Sequence, residues 1–285
     1  MYDPKFIPGF EVPMPQLSES LKARAFQNGE PVHHARFSII FSRERHFAIA
    51  TAHNIDGETL IPEGVFKRKD SFKNDPDIPA EIQVDNNRGY RKNPWDRGHL
   101  VRRRAMHWGD QTEAFAADQE SFYYSNITPQ HKRLHHSAWG KIEDWMMDFA
   151  DAHKKRACVF TGPVFSDSDP KVVNLPGEKP VRIPAGFWKV LTISHGLDLR
   201  AAGFLVWQRD FDNPKPLGFQ PFLEQVRITT IEYLTGLNFG ELRNLDPLRY
   251  GIELAEGKSL DEQTIAPKPI KRAAVVTSPF DIFMG

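Results

Sequence analysis

The stretch that decides the fold is YRKNPWDRGHL, residues 90–100, in which four residues stand out: Asp96-Arg97-Gly98-His99. His99 can act as a general base because the unperturbed pKa of histidine lies near neutrality. Arg97 cannot be a base, but its guanidinium can bind a phosphate oxygen. Gly98 permits an unusual backbone angle or the close approach of a phosphate. Four residues are a weak signal alone, so the interpretation depends on what surrounds them.

The charge around this motif is positive although the whole chain is neutral, with 37 basic and 37 acidic side chains. From residue 88 to residue 104, Asp96 is the only acidic residue. The basic residues in this span are Arg88, Arg91, Lys92, Arg97, Arg102, Arg103 and Arg104. Such a cluster favours a phosphate-rich partner, and we expect Arg102, Arg103 and Arg104 to bind substrate. A solvated basic surface is the alternative.

The composition excludes several kinds of site. Cys158 is the only cysteine, so neither an internal disulfide nor a cysteine-based zinc site can form. Its apolar neighbours indicate a buried strand rather than a catalytic thiol. No apolar run is long enough to cross a membrane, and the first residues lack the basic and apolar regions of a signal peptide. We therefore expect a cytoplasmic protein without membrane contact, with delivery as an effector left open.

The remaining pattern predicts a mixed fold. Residues 36–41 and 46–51 are β-rich runs joined by a turn, which indicates a hairpin. Residues 62–95 form a long polar loop of a kind that is often functional. Further strands are predicted near residues 121–126, 158–165, 186–193, 201–208 and 226–234, the last leading into a helix. A helix with one apolar stripe is expected from about residue 135 to 153. This mixture predicts an α+β fold with a central, mostly antiparallel sheet flanked by helices.

The predicted helix carries candidate metal ligands. His135, Trp139 and Glu143 follow at intervals of four residues and so lie near one helix face. At ~1.5 Å per residue, His135 and Glu143 are about 12 Å apart along the axis, too far to bind one ion directly. We assign the ion to His135 and assign Glu143 to a water bound by that ion. Trp139 most simply packs the helix onto the sheet.

An ordered set of motifs resembles the DNA/RNA non-specific endonucleases of the ββα-metal (His-Me finger) class, which includes endonuclease G-like nucleases. The matching segments run in family order from about residue 33 to 240. They are Tyr90-Arg91 with Asp96-Arg97-Gly98-His99, residues 122–130 (FYYSNITPQ), Leu134, Ala138-Trp139, Ile142-Glu143, residues 160–165 (FTGPVF), Pro184, residues 187–190 (FWKV), Ile231-Glu232 and Thr235-Gly236-Leu237. The ordered set is a far stronger signal than the four-residue motif.

The resemblance implies a ββα-metal nuclease fold and a role for each matched position. His99 would be the general base, Arg97 a phosphate-site residue and Glu143 an orienter of metal-bound water. Asn126 would help to hold the finger loop. Lys73 occupies a place where the family has a phosphate-binding arginine. The resemblance also divides the chain into an N-terminal arm (residues 1–32), a nuclease domain (33–243) and a C-terminal tail or linker (244–285).

The implied activity is metal-dependent, sequence-tolerant cleavage of DNA, with RNA as a further substrate left open, that leaves 5′-phosphate ends. One divalent ion is implied, Mg²⁺ or Mn²⁺. His135 stands where the family usually has a metal-binding asparagine, and imidazole favours softer ions, so Co²⁺ and Ni²⁺ also remain candidates. Met147 stands where the family often has an arginine. These departures leave a catalytically weakened nucleic-acid-binding protein as the alternative, and a phosphodiesterase for small nucleotides as a further one. A homodimer and an inhibitor or regulatory partner remain open.

Overall fold

The computed structural model describes residues 1–91, 93, 95–135, 138–208, 223–250, 274–276, 282 and 284, with only the backbone described at 133, 135, 138, 250, 274 and 275. Its strands are β1 (Gln16–Leu17), β2 (Val32–His34), β3 (Phe37–Phe41), β4 (Ala48–Asp56), β5 (Trp95–His99), β6 (Ile127–His131), β7 (Arg156–Val164), β8 (Lys171–Val172), β9 (Val181–Arg182), β10 (Gly186–His195), β11 (Asp198–Trp207), β12 (Leu223–Val226), β13 (Leu237–Asn238) and β14 (Ala274–Val276). Its α-helices are α1 (Glu19–Lys22), α2 (Gln111–Glu120), α3 (Lys132–His135), α4 (Ala138–His153) and α5 (Ile228–Thr235).

Eight strands form the central sheet, in the order β14-β12-β11-β10-β7-β4-β3-β2, and every neighbouring pair is antiparallel. The predicted hairpin is confirmed as β3 and β4. Strand β4 is buried along its whole length, and β10 along all but its last two residues. Because both faces of these central strands are covered, their sequences are nearly continuous apolar runs.

Each face of the sheet carries its own core. On one face, Trp139 and Ile142 of α4 pack with Phe187 and Leu191 of β10. This confirms that Trp139 packs the helix onto the sheet. The opposite face is covered by α5 and by the N-terminal residues, whose Tyr2, Ile7 and Val12 are buried. The N-terminal arm therefore completes the second core.

The segment that carries the predicted site is a small ββα unit. Strands β5 and β6 pair antiparallel, with His99 opposite Ile127, and α3 and α4 follow directly. We call β5, β6, α3 and α4 together the finger. The prediction of a strand at residues 121–126 was wrong. These residues form a turn and a short 3-10 helix, Tyr124–Asn126, in which Tyr123 makes a single bridge with Lys73 and the carbonyl of Asn126 accepts a hydrogen bond from the amide of Leu100.

Two further features were outside the sequence prediction. Helix α2 is capped by Asp110, whose carboxylate accepts hydrogen bonds from the amides of Thr112 and Glu113. It buries mainly alanines, so it has no apolar stripe to reveal it. Within the tail, residues 274–276 form β14 on the edge of the sheet. The three-part division of the chain stays a prediction. None of the described helices is long and apolar enough to span a bilayer.

Candidate active site

A cleft beside the finger brings together several of the predicted residues. We define the cleft by its described lining: Glu63, Gly64, Phe66, Lys67, Arg68, His99, Arg102, Arg103, Arg104, His107, Gly140, Glu143 and Asp144. His99 comes from the end of β5, the arginines from the segment after it, and Glu143 from α4. Because β5 and α4 belong to one ββα unit, the finger itself sets the placement of His99 relative to Glu143.

His99 lies among aromatic rings. The centre of its imidazole is 5.7 Å from that of Phe72 and 5.2 Å from that of Phe122. The phenylalanine rings give His99 a defined orientation, since an edge-on contact such as that with Phe122 restricts rotation of the imidazole. Phe72 belongs to the long polar loop, so this loop contributes to the site.

An unusual backbone angle is not observed at Gly98, and the close approach of a phosphate to it stays a prediction. Its φ is not positive, so no left-handed backbone angle is involved. A Cβ at this position would instead lie 2.0 Å from Cδ of Gln130, which is fully buried. The glycine therefore allows β5 and β6 to approach across the side chain of Gln130.

Asn126 is fully buried beneath the segment that follows His99. Its Oδ1 accepts a hydrogen bond from the amide of Val101 at 2.9 Å, and its Nδ2 donates to the carbonyl of Val101 at 3.0 Å. Nδ2 also donates to the carbonyl of Ser121 at 2.9 Å. These bonds occupy both ends of the amide and tie the segment after β5 to the segment before β6. The effect of Asn126 on activity stays a prediction.

Glu143 is almost completely buried, and its carboxylate contacts two positively charged side chains. Its Oε1 lies 2.9 Å from Nζ of Lys189, and its Oε2 lies 3.4 Å from Nη1 of Arg102. Burial lowers the pKa of the Lys189 ammonium, and the neighbouring Glu143 opposes that shift. Sequence reasoning did not single out Lys189. The available signal was a lysine inside the apolar run FWKVL, since a charge in a central strand needs a partner.

The three arginines after His99 differ in their contacts. Arg102 also donates to the carbonyl of Gly140 at 3.1 Å and contacts the Asp144 carboxylate at 2.5 Å. Arg103 places Nε 2.6 Å from Oδ1 of the buried Asp118. For Nη1 of Arg104, the described part of the chain offers no hydrogen-bond partner. Burial lowers the pKa of Arg104. The Nη1 nitrogen is itself buried, so it does not face a ligand, but Arg104 is the one of the three arginines for which the described residues give no side-chain hydrogen bond or ion pair.

Arg97 and Lys73 do not line the cleft as defined above. The Arg97 guanidinium lies 4.1 Å from the centre of the Phe72 ring, and the Lys73 ammonium lies 5.2 Å from the centre of the Tyr123 ring. Lys73 is exposed. Their predicted phosphate contacts stay predictions. Lys67 and Arg68 line the cleft instead and were missed, although the length and polarity of their loop pointed to this region.

His135 is the last residue of α3, but its side chain lies outside the described residues. Elsewhere in the described chain, His34, Asp75 and Asp77 place potential metal-ligand atoms within 4.8 Å of one another. Asp75 there already contacts Nε2 of His34 at 3.0 Å and accepts a hydrogen bond from Ser125 at 2.5 Å. His34 and Asp75 are buried and Asp77 is exposed, and none of the three lines the cleft.

Comparison with known proteins gives a consistent result. The family model described as DNA/RNA non-specific endonuclease matches residues 20–244. The uncharacterized protein y4fB of Sinorhizobium fredii is 31% identical over 232 residues, which cover 74% of this chain and 33% of that protein. Mitochondrial endonuclease G of Bos taurus is 29% identical over 194 residues, which cover 64% of this chain and 61% of that protein. The chain thus spans less than two thirds of the length of either relative.

Among solved structures, the EndoG/EndoGI complex, described as showing the mechanism of EndoG inhibition, matches with a TM-score of 0.56. The sequence identity is 23%, and the match covers 73% of this chain and 84% of that chain. At this identity the likeness concerns the fold. It confirms the predicted α+β architecture of the ββα-metal nuclease type.

Proposed function

Because this chain belongs to the DNA/RNA non-specific endonuclease family, we propose that it hydrolyses phosphodiester bonds of DNA, with RNA as a second substrate. The observation that carries this proposal is the common placement of His99, Arg104 and Glu143 in one cleft. A general base, a positive charge near the phosphate and a carboxylate that can orient water around a cation each assist the hydrolysis of a phosphodiester.

In the proposed reaction, neutral His99 accepts a proton from a water molecule that attacks phosphorus in line with the leaving 3′-oxygen. The contacts with Phe72 and Phe122 keep the imidazole at one angle during this transfer. Arg104 compensates negative charge on the phosphate, since guanidinium groups hydrogen-bond phosphate oxygens well. The products would carry 5′-phosphate and 3′-hydroxyl ends.

Divalent-metal dependence is general for this family, and the residues around the cleft fit one cation. The imidazole of His135 would hold it directly, and the carboxylate of Glu143 would hold it through water. Both Glu143 oxygens lie near cationic side chains, an arrangement that suits an orienting role better than direct ligation. When bound, the cation would neutralise charge that develops on the phosphate oxygens.

The basic residues divide into two proposed groups. Lys67, Arg68 and Arg104 line the cleft and would bind phosphates close to the reacting bond. Arg97 and Lys73 would contact phosphates farther along the strand. Because these contacts are to the backbone of the nucleic acid, they position the substrate without reading its sequence. This accounts for a sequence-tolerant activity.

The test is cleavage of supercoiled plasmid DNA and of single-stranded RNA with Mg²⁺ or Mn²⁺. His99→Ala should lose at least about a hundredfold in rate while DNA binding persists, because general-base catalysis contributes on that order. His195→Ala, at an exposed residue, serves as the control and should retain the wild-type rate. A His99→Ala protein that cuts at the wild-type rate would refute the assignment.

One observation favours the second candidate, a catalytically weakened nucleic-acid-binding protein. Met147 of α4 stands where the family often has an arginine. Its side chain is uncharged and packs in the core, so this position supplies no positive charge to the cleft. In the same assay this candidate predicts salt-sensitive DNA binding by the wild type without cleavage under any divalent ion. Cleavage that depends on His99 would exclude it.

A further inference from the structure

Lys189 is a charged residue in the middle of the central sheet. It stands in β10, opposite Thr161 of β7 and Phe204 of β11, and its side chain is 2% exposed. Taking an ammonium group out of water is costly unless close partners compensate it. The partners of Lys189 therefore indicate why the chain keeps a lysine in a position suited to leucine or valine.

These partners come from three different parts of the fold. The Lys189 ammonium lies 2.9 Å from Oε1 of Glu143 on α4 and donates to Oγ1 of Thr161 on β7 at 3.0 Å. It also donates, at 3.5 Å, to the carbonyl of Leu100, the residue directly after His99. The Trp139 ring lies 4.7 Å away and adds a cation-π contact. One ammonium thus links the sheet, the end of β5 and the helix that carries Glu143.

We propose that Lys189 is a positioning residue for the cleft, an inference that rests on the proposed nuclease function. Its ammonium holds the Glu143 carboxylate in one orientation at the edge of the cleft, and its contact with Leu100 fixes the backbone beside His99. Glu143 can then orient water around a divalent cation from a fixed direction. Lys189 itself would touch neither the substrate nor the cation.

Arg102 cannot replace Lys189 in this role. Its contact with Glu143 is longer, 3.4 Å, and its guanidinium is shared with Asp144 and with the carbonyl of Gly140. The Arg102 side chain is also 31% exposed, so solvent weakens its attraction to the carboxylate. Without Lys189, Glu143 would turn toward Arg102 and would no longer hold water in the required direction.

Lys189→Met tests the inference, because methionine has a similar length and no charge. Mn²⁺ binding to the protein alone is measured by calorimetry, and kcat and KM are measured on plasmid DNA. Changes to groups that orient a metal's surroundings typically cost ten- to a hundredfold in affinity or activity. We expect a loss of that size in Mn²⁺ affinity and in kcat, with KM for DNA within about twofold of wild type, since Lys189 does not line the cleft.

Leu191→Ala is the matched control for lost stability. Leu191 lies two residues further along β10, in the same core, and its truncation leaves a cavity without touching Glu143. At a temperature where each variant remains folded, we expect Leu191→Ala to bind Mn²⁺ with wild-type affinity. If Lys189→Met does not fold, Thr161→Val is tested instead, because it removes the hydroxyl that accepts a hydrogen bond from the Lys189 ammonium. It should weaken Mn²⁺ binding by about two- to fivefold.

A double variant separates positioning from general damage. If Lys189 acts through Glu143, the double variant Lys189→Met with Glu143→Gln should lose no more Mn²⁺ affinity than Glu143→Gln alone. Wild-type Mn²⁺ affinity in Lys189→Met would overturn this inference and leave the proposed nuclease function intact. A wild-type protein that neither binds Mn²⁺ nor cuts nucleic acid would overturn the proposed function and this inference with it.

Discussion

Asn126 and Val101 are joined by two hydrogen bonds. Asn126 Oδ1 accepts from the Val101 amide at 2.9 Å, and Asn126 Nδ2 donates to the Val101 carbonyl at 3.0 Å. Val101 is two residues after His99 and fully buried. The pair therefore fixes the backbone beyond the proposed base to the segment before β6. Both residues are fully buried, so these bonds are shielded from bulk solvent.

Asn126→Ala should lower the free energy of unfolding by about 2–4 kcal/mol, because it leaves buried backbone groups of Val101 and Ser121 without their partners. Urea unfolding followed by circular dichroism measures the loss. Asn74→Ala, at an exposed asparagine, is the control and should change stability by less than about 0.5 kcal/mol. Equal stability of the two variants would contradict the structural role assigned to Asn126.

Gly98→Ala should disrupt the finger. The added Cβ would meet Cδ, Oε1 and Cγ of Gln130 at 2.0–2.3 Å, and because Gln130 is fully buried its side chain could move aside only by displacing its neighbours. We expect a loss of at least about 2 kcal/mol in stability, with a fall in cleavage rate because His99 is the next residue. Adding Gln130→Ala removes all three clashing atoms and should restore part of the stability. A double variant no more stable than Gly98→Ala would show that another contact requires the glycine.

Arg104 and Arg103 should respond differently to replacement by alanine. Loss of a phosphate contact at Arg104 should weaken DNA binding and reduce the slope of log K against log salt by about 1. Arg103→Ala should instead lower stability, since the buried Asp118 loses its arginine partner and keeps only its contact with His107 among the described ion pairs. Fluorescence anisotropy between 50 and 200 mM salt, paired with thermal unfolding, distinguishes the two. An unchanged salt slope in Arg104→Ala would remove this residue from the proposed phosphate site.

The choice of metal ion should depend on residue 135. With histidine there, Mn²⁺, Co²⁺ or Ni²⁺ should support cleavage at least as well as Mg²⁺, because imidazole favours these ions. His135→Asn should raise activity with Mg²⁺ relative to Co²⁺ and Ni²⁺, since an amide oxygen suits the harder cation. Chelation should abolish cleavage in both proteins. Wild-type activity with Mg²⁺ but with none of the other ions would argue against His135 as the ligand.

The parts of the fold that could be predicted are those with a local signal. The apolar runs of β4, β7, β10 and β11 identified the sheet, and the spacing from Trp139 onward identified α4. Helix α2 was missed because it buries alanines, which form no recognisable stripe. The predicted strand at residues 121–126 was wrong, since the segment forms a turn and a 3-10 helix that contact residues 73, 100 and 101, and no local pattern contains such distant contacts.

The residues of the candidate site also divide into those with a local sequence signal and those without one. His99 and Glu143 were identifiable by motif and register, and the structure places both in the cleft. Lys189 and Arg68 were not, since their relevance depends on which distant segments meet. Lys189 is 46 positions from Glu143 in sequence, yet their charged atoms lie 2.9 Å apart. Only the packing of α4 on β10 creates that relationship.

His53 should make the protein less stable in acid. It is buried in β4, its Nδ1 has no hydrogen-bond partner within the described residues, and burial together with the charge of Lys189 lowers its pKa to about 3. In the unfolded chain a histidine takes up a proton below a pKa of about 6.5. Unfolding therefore binds a proton between these two pKa values. The contribution of neutral His53 is fully present above pH 6.5 and is lost as the pH falls toward 3, by up to about 1.4 kcal/mol per pH unit.

His53→Leu should therefore reduce the difference in unfolding free energy between pH 7 and pH 5 by about 2 kcal/mol relative to wild type. Urea unfolding at the two pH values measures this difference, and comparison with wild type cancels the contribution of the other titrating groups. Ile55→Val, two residues further along β4 and in the same core, is the control and should keep the wild-type difference. If His53→Leu also keeps it, His53 must already be protonated in the folded protein at pH 5, and its burial would have to be compensated by a contact that holds the charge.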